Sequence, residues 1–288
     1  MRLAPQCLNY FIIPYVVKAV VAAAGLGSRL LPASKEMPKE MFPVFDFEDG
    51  EMVVKPVLQI VFEQLYDSGI REFCFVVGRG KRAIEDYFTP DWSFVEELEK
   101  AGKQVQAKSL RRFYCKIENS SIVYVNQPRP LGFGHAVLTA RSVVDDDFIV
   151  AGGDTYLADP APLRELAASR PISILVKEVE NPRQYGVAVV RDGVIVRVVE
   201  KPKEPPSNIA ILPFYKFPRD FFKYLERVRP GVGGELQLTD AIQLAIEEGV
   251  EARPIYYTDV YFDVGTPQTY LKALEWIIDV ARKNAGTH

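Results

Sequence analysis

Ala22-Ala-Ala-Gly25-Leu-Gly27-Ser-Arg29-Leu-Leu-Pro32-Ala-Ser-Lys35-Glu-Met-Pro38-Lys39-Glu40 follows directly on a strand-like apolar run over residues 16–24. Two glycines lead into an arginine, two prolines and two lysines. Small residues let a phosphate approach backbone N–H groups, and the cations neutralise it. Two better-known glycine loops do not fit. A Walker loop needs Gly-Lys-Ser/Thr opening a helix, and none follows here. In a dinucleotide-binding turn a third glycine opens a helix, but Leu30 holds that position and Pro32 and Pro38 interrupt any helix. The stretch therefore points to a nucleoside triphosphate held at the end of a buried strand.

Outward from this loop, strand-like and helix-like segments alternate, which predicts an α/β sandwich with a largely parallel sheet. Strands are expected at 72–77, 121–126 and 148–151. Helices are expected at 56–68 (Pro56 at its start, Gly69 past its end), 81–87, 94–113 and 133–141. The second half is β-rich: 173–179, then 186–199 with a hairpin turn at Asp192-Gly193, then 209–217, 252–258 and 260–262. Helices at 221–228, 238–248 and 267–283 complete it. Residues 1–15 read as an N-terminal extension, and 16–284 as one domain with two lobes, over about 16–155 and about 156–266, and a C-terminal helix over about 267–284.

The 288 residues carry a net charge of −3, with 48% hydrophobic and 25% charged residues. That balance lacks the broad basic surface of a nucleic-acid binder. An anionic substrate must be met by a local cluster of Lys and Arg. No run reaches membrane-span length. Cys7, Cys74 and Cys115 suggest neither a disulfide framework nor a zinc site, and a cytoplasmic location is expected.

Further segments carry chemistry. Gln127-Pro-Arg-Pro-Leu-Gly132-Phe-Gly134-His135-Ala offers a side-chain amide, donor and acceptor side by side, before a glycine turn. Asp154 ends a strand behind two glycines, a favoured position for a metal ligand in an α/β crevice. Tyr261-Phe-Asp263-Val-Gly265-Thr266 repeats that logic. Tyr185-Gly186-Val187, Glu200-Lys201-Pro202 and Gly234-Glu-Leu-Gln-Leu-Thr239-Asp240-Ala close the series.

In this order the segments resemble the signatures of the sugar-nucleotide pyrophosphorylases, or nucleotidyltransferases, over residues 17–281, and most closely those of the bacterial-type UTP–glucose-1-phosphate uridylyltransferase branch. The resemblance implies a Rossmann-like three-layer sandwich with a central mixed, mostly parallel sheet, the nucleotide-diphospho-sugar transferase fold, and a smaller β-rich sugar-binding lobe. It implies Mg²⁺-dependent transfer of a uridylyl group from UTP to glucose 1-phosphate, giving UDP-glucose and pyrophosphate, in a homodimer or homotetramer with neither nucleic acid nor membrane as partner. A dTTP-using or dual-specificity enzyme and a non-catalytic nucleotide-sugar sensor are the alternatives.

By the same resemblance Ala23, Ala24, Gly25 and Gly27 line the nucleotide. Arg29 holds the leaving phosphates and Lys39 neutralises the α-phosphate, with Lys35 a weaker candidate. Gln127 and Gly132 read the uracil. Gly186 and Glu200 take the hexose, Lys201 takes its phosphate, and Asp154 and Asp263 bind the metal. His135 and the 234–240 segment are expected to be structural. Two departures stand out: residues 47–54, with a hairpin signal at Asp49-Gly50, look inserted between Asp46 and Lys55-Pro56, at a neighbouring subunit or the pocket mouth. Leu212-Pro213-Phe214 stands where the family commonly has a glycine before the aromatic.

Overall fold

Strand β1 (Lys18–Ala23) buries both faces, and its alternation divides the molecule into layers. Ala19, Val21 and Ala23 point into one apolar cluster, while Val20 points into another on the opposite face. A strand covered on both sides reads as a continuous apolar run, as parallel strands do. The computed structural model describes residues 17–285; the expected extension over 1–15 lies outside them.

The chain continues through β2 (Pro43–Glu48), β3 (Glu51–Pro56), α1 (Val57–Asp67), β4 (Glu72–Val77), α2 (Arg82–Tyr87), α3 (Trp92–Lys100), α4 (Gln104–Glu118), β5 (Ser121–Asn126), α5 (Phe133–Thr139), β6 (Phe148–Gly152) and β7 (Thr155–Leu157). Beyond these come α6 (Pro162–Ala168), β8 (Ile172–Glu178), β9 (Gly186–Arg191), β10 (Val194–Glu200), β11 (Ile209–Phe217), α7 (Phe222–Leu225), α8 (Leu238–Glu247), β12 (Ala252–Tyr256), β13 (Tyr261–Asp263) and α9 (Pro267–Ala285).

The main sheet has the order β10-β9-β11-β6-β1-β4-β5, with β8 pairing β11 and β12. Strands β6, β1, β4 and β5 run parallel, and β11 joins them antiparallel. Helices α1, α3, α4 and α6 cover one face around Phe62, Phe75 and Phe113. Helices α5, α7 and α8 cover the other around Phe148, Phe217 and Ile242. A third apolar cluster seats α9 against β2 and β13 through Val44, Phe262, Val264 and Ile277. This is the expected three-layer α/β sandwich. Among the described residues no helix is long and apolar enough to cross a membrane.

Strand order places the site. From β1 the chain steps outward to β4 and β5, then returns to β6 on the other side of β1. The order therefore reverses between β1 and β6, and a crevice opens there at the strands' C-terminal ends. The phosphate loop leaves β1 at that crevice, and Asp154 leaves β6 beside it. Gly153 N–H donates to Ala22 O at 3.0 Å, stitching the two exits together.

Three expectations need correction. The single helix expected at 94–113 is two helices, because Gly102 takes φ +73° and turns the chain between them. The helix expected at 221–228 is a 3₁₀ turn over Arg219–Phe221 followed by only four α-helical residues. Cys74 is buried and free, as expected, but Cys115 forms a disulfide, which the cysteine spacing did not suggest.

Residues 47–54, expected to be inserted, form the tip of the β2–β3 hairpin, turned by Asp49 and Gly50 at φ +52° and +84°. Within the chain its tip reaches α4, where Asp49 accepts from Lys108 and Arg112. Asp46 and Lys55 still meet across the hairpin, with Lys55 Nζ buried between Asp46, Glu48 and Glu63.

Candidate active site

The phosphate loop is built from 3₁₀ turns at Ser28–Leu30, Ala33–Lys35 and Lys39–Met41, the short elements that its prolines permit. Ala23 and Ala24 bury their methyl groups, so only their main chain faces the crevice. Gly27 takes φ +64°, and its carbonyl accepts from Ser34 Oγ at 2.7 Å. A side chain on Gly25 would meet the Lys39 stem 3.6 Å away. Arg29 is exposed on the first turn. Lys35 is also exposed and pairs only loosely with its neighbour Glu36 at 3.5 Å, as a solvated loop charge would.

Lys39 reaches across the crevice and forms an ion pair with Asp154. Burial opposes its charge, but Asp154, then Glu40 and Asp263, outweigh burial and hold it above the ordinary lysine value. Strands β7 and β13 pair Thr155 with Asp263, and Val264 N–H donates to Asp154 O at 3.0 Å, so the two aspartates share one corner. Burial, then the Asp154 carboxylate, push Asp263 up to about 6, while Lys39, Arg29 and Lys201 pull it down. Lys39, Arg29 and Lys201 thus all act on Asp263, and Lys39 also pairs with Asp154. Asp263 Oδ1 is buried without a hydrogen-bond partner. Among the described residues no group of three or more His, Cys, Asp or Glu gathers as metal ligands. Two carboxylates and an orphaned oxygen fit an ion that completes its shell from phosphate and water, as Mg²⁺ does.

On one side of this corner lies the β9–β10 hairpin. Gly186 pairs with Glu200 in register, and a Cβ on Gly186 would lie 3.2 Å from Glu200 Oε2 and 2.9 Å from Thr239 Cγ2. Only glycine leaves that carboxylate approachable. Lys201 ends the hairpin at φ +39°, its side chain half exposed. Pro213 interrupts the β8–β11 ladder at a bulge and packs beside Gly152, just before Asp154.

On the other side, beyond β1 and β4, lie Gln127 and Gly132. Gly132 takes φ +102°, and a Cβ there would come within 2.7 Å of Glu235 Cβ. The Gln127 amide nitrogen donates to Gly132 O at 3.2 Å and to His135 Nδ1 at 2.8 Å.

Sequence reading missed what residues 235–240 do. Leu236 N–H donates to Leu131 O at 2.8 Å, and Leu236 O accepts from Gly134 N–H at 2.9 Å, bracing the turn that carries Gly132. Thr239 Oγ1 donates to Glu200 Oε2 at 3.0 Å, orienting it. Burial and then Glu200 raise the neighbouring Asp240 above the ordinary aspartate value. Lys81 was also unmarked: its ammonium donates to Glu40 at 2.6 Å, with both groups buried directly behind Lys39. Thr239 and Glu200 are 39 positions apart and Lys81 and Glu40 are 41 apart; contacts at such separations leave no local pattern, so none of these could be found from spacing.

The profile of the family described as Nucleotidyl transferase matches residues 18–279. The chain is 32% identical to the UTP–glucose-1-phosphate uridylyltransferase of Pseudomonas aeruginosa PAO1, covering 95% of this chain and 100% of that protein. It is 38% identical to the enzyme of the same name from Bacillus subtilis 168, over 79% of this chain and 80% of that one. Among solved structures, a UTP-bound UGPase from Acinetobacter baumannii superposes with a TM-score of 0.78 at 32% identity, covering 91% of this chain and 93% of that one.

Proposed function

The chain belongs to the nucleotidyl transferase family, and we propose that within it the protein transfers a uridylyl group from UTP to glucose 1-phosphate, releasing pyrophosphate. The observation that carries this reading is the order of groups along the crevice. Following the strand order, the amide of Gln127 comes first, then the phosphate loop of β1, the Asp154–Asp263 corner, and the Gly186–Glu200–Lys201 hairpin. At about 4.8 Å per strand, the base end lies about 14 Å from the Asp154 end, a span comparable to a nucleoside triphosphate. The relatives' names supply the nucleotide and the sugar.

A phosphate oxygen of the sugar phosphate attacks the α-phosphorus of UTP. The new P–O bond forms as the bond to the β-phosphate oxygen breaks, opposite it, and the electron pair leaves on pyrophosphate. The attacking group is already an anion, so no enzyme nucleophile and no general base is required. The protein's work is positioning and charge neutralisation. Lys201, half exposed at the hairpin end, takes the incoming phosphate. Lys39, beside Asp154, neutralises the α-phosphate. Arg29 offers the leaving phosphates a planar fork of donors. Glu200, oriented by Thr239, accepts hydrogen bonds from hexose hydroxyls. Asp154 and Asp263 would hold Mg²⁺, which when bound stabilises the crowded phosphate charge.

Pyrophosphate release from a panel of nucleoside triphosphates and sugar 1-phosphates tests the reading. UTP with glucose 1-phosphate should turn over fastest, and a preference for dTTP or no release with any pair overturns it. Lys201→Ala should lose at least about 100-fold in kcat/KM, on the scale of removing one group that neutralises transferring charge, with its fold retained. Near-wild-type turnover in that variant removes Lys201 from the mechanism.

A further inference from the structure

Gln127 is 5% exposed, and both hydrogens of its amide are committed: one to Gly132 O at 3.2 Å, the other to His135 Nδ1 at 2.8 Å. The carbonyl of Gly132 can only accept, so the atom facing it must be the amide nitrogen. Turning the amide over would set its oxygen against that carbonyl. His135 Nδ1 must then accept as well, which places the ring proton of the neutral imidazole on Nε2. With its donors spent, the amide has only its oxygen left to offer a ligand.

We infer that His135 is a positioning residue that locks the Gln127 amide as a pure acceptor, so that the site admits a pyrimidine with N3–H and rejects one with a bare N3. The inference rests on the proposal that Gln127 faces the base. Uracil carries hydrogen on N3 and satisfies the oxygen. Cytosine presents a lone pair there, leaving two acceptors face to face. Thymine has the same edge as uracil, so this device separates UTP from CTP and is blind to UTP against dTTP. Without an acceptor at Nδ1 the amide keeps only the Gly132 contact to orient it. It can then rotate and offer cytosine a donor. His135, held earlier to be structural, becomes the residue that sets base selectivity from one shell behind the ligand.

The test is the ratio of kcat/KM for UTP to that for CTP, with glucose 1-phosphate, in the full-length protein and in His135→Ala and His135→Asn. Asparagine can return an acceptor oxygen to the Nδ1 position. Alanine should lower the ratio by roughly tenfold, the scale of one hydrogen bond in a buried site, acting mainly through the KM for UTP because the base lies far from the reacting phosphorus. Asparagine should hold the ratio within about threefold of wild type on the same scale. A helix-start role alone would weaken both nucleotides equally and leave the ratio unmoved. An unchanged ratio in His135→Ala, or a wild-type protein that does not separate UTP from CTP, overturns the inference. If His135→Ala does not fold, His135→Gln, whose head group reaches the Nε2 position instead, serves as the acceptor-free variant. Equilibrium binding of UTP and CTP to the same variants judges the inference even if no turnover occurs, so its failure is separable from failure of the uridylyltransferase reading.

Discussion

Lys81→Met removes the partner of Glu40 and leaves a carboxylate that is 1% exposed with its closest counter-charge gone. The pair is short, 2.6 Å, and neither group can turn to water. Breaking a buried pair from one side costs about 3–5 kcal/mol, because the remaining charge stays desolvated. For a domain of this size that corresponds to a fall of roughly 6–20 °C in melting temperature at 2–4 °C per kcal/mol. The pH dependence identifies the cause. Burial already raises Glu40 above its ordinary value of 4.5, against the pull of Lys81 and Lys39. Without Lys81 it rises further, so the folded state binds the proton more tightly than the unfolded chain. A carboxylate raised in this way is tolerated at low pH and costs stability as the pH climbs through its folded value. The deficit of Lys81→Met relative to wild type should therefore be larger at pH 7.5 and shrink towards pH 4.5. The double variant Glu40→Gln/Lys81→Met, which buries no charge, should recover much of the loss at pH 7.5. Urea or thermal unfolding followed by circular dichroism reads all three. A Lys81→Met protein within 1 kcal/mol of wild type at pH 7.5, with no change in pH slope, would refute the reasoning.

Two further perturbations bear on the site itself. Thr239→Val keeps the shape of the side chain but deletes its hydrogen bond to Glu200. A bond to a charged group is worth about 1.5–3 kcal/mol, so kcat/KM for glucose 1-phosphate should fall about tenfold or more while the KM for UTP holds, and a loss falling on UTP instead would contradict the assignment. Asp263→Asn should stabilise the protein in a chelator at pH 7.5. Asp263 ionises only near pH 6, against an ordinary 3.8, and each pH unit is worth about 1.4 kcal/mol, giving about 2–3 kcal/mol. That gain should be absent near pH 4, where the wild-type carboxyl is protonated in the fold. Mg²⁺ should raise the melting temperature of wild type and leave the variant unmoved. A variant that is less stable than wild type at pH 7.5 counts against the raised carboxyl.

The parts that could be read from the chain were those whose physics is local. Asp49-Gly50 and Asp192-Gly193 demanded left-handed turns and supplied them. Strand β4 and strand β5 ran over the residues their apolar patterning marked. Pro56 and Gly69 bracketed α1. The parts that could not be read depend on partners far away in sequence. Apolar residues recur at helical spacing on both sides of Gly102, so periodicity ran α3 and α4 together. Nothing local marked Glu40 and Lys81 as a buried pair, because charged residues are seldom fully buried and their pairing emerges only on folding. The resemblance named the residues that meet at the Asp154–Asp263 corner, yet it could not say that Lys39 already stands on Asp154, 115 positions away.

Residues 235–240 have one end on the turn that carries Gly132 and the other on Glu200. On the proposed assignment of Gly132 to the base and Glu200 to the hexose, nucleotide choice and sugar choice are not independent variables for this protein. On that proposal, a substitution that shifts this strap to admit a different hexose also shifts the turn beneath the base, and the reverse holds. Evolution or engineering can change one substrate alone only through residues that the strap does not touch, such as those around Pro213. The strap makes the acceptable nucleotide–sugar pairs a correlated set.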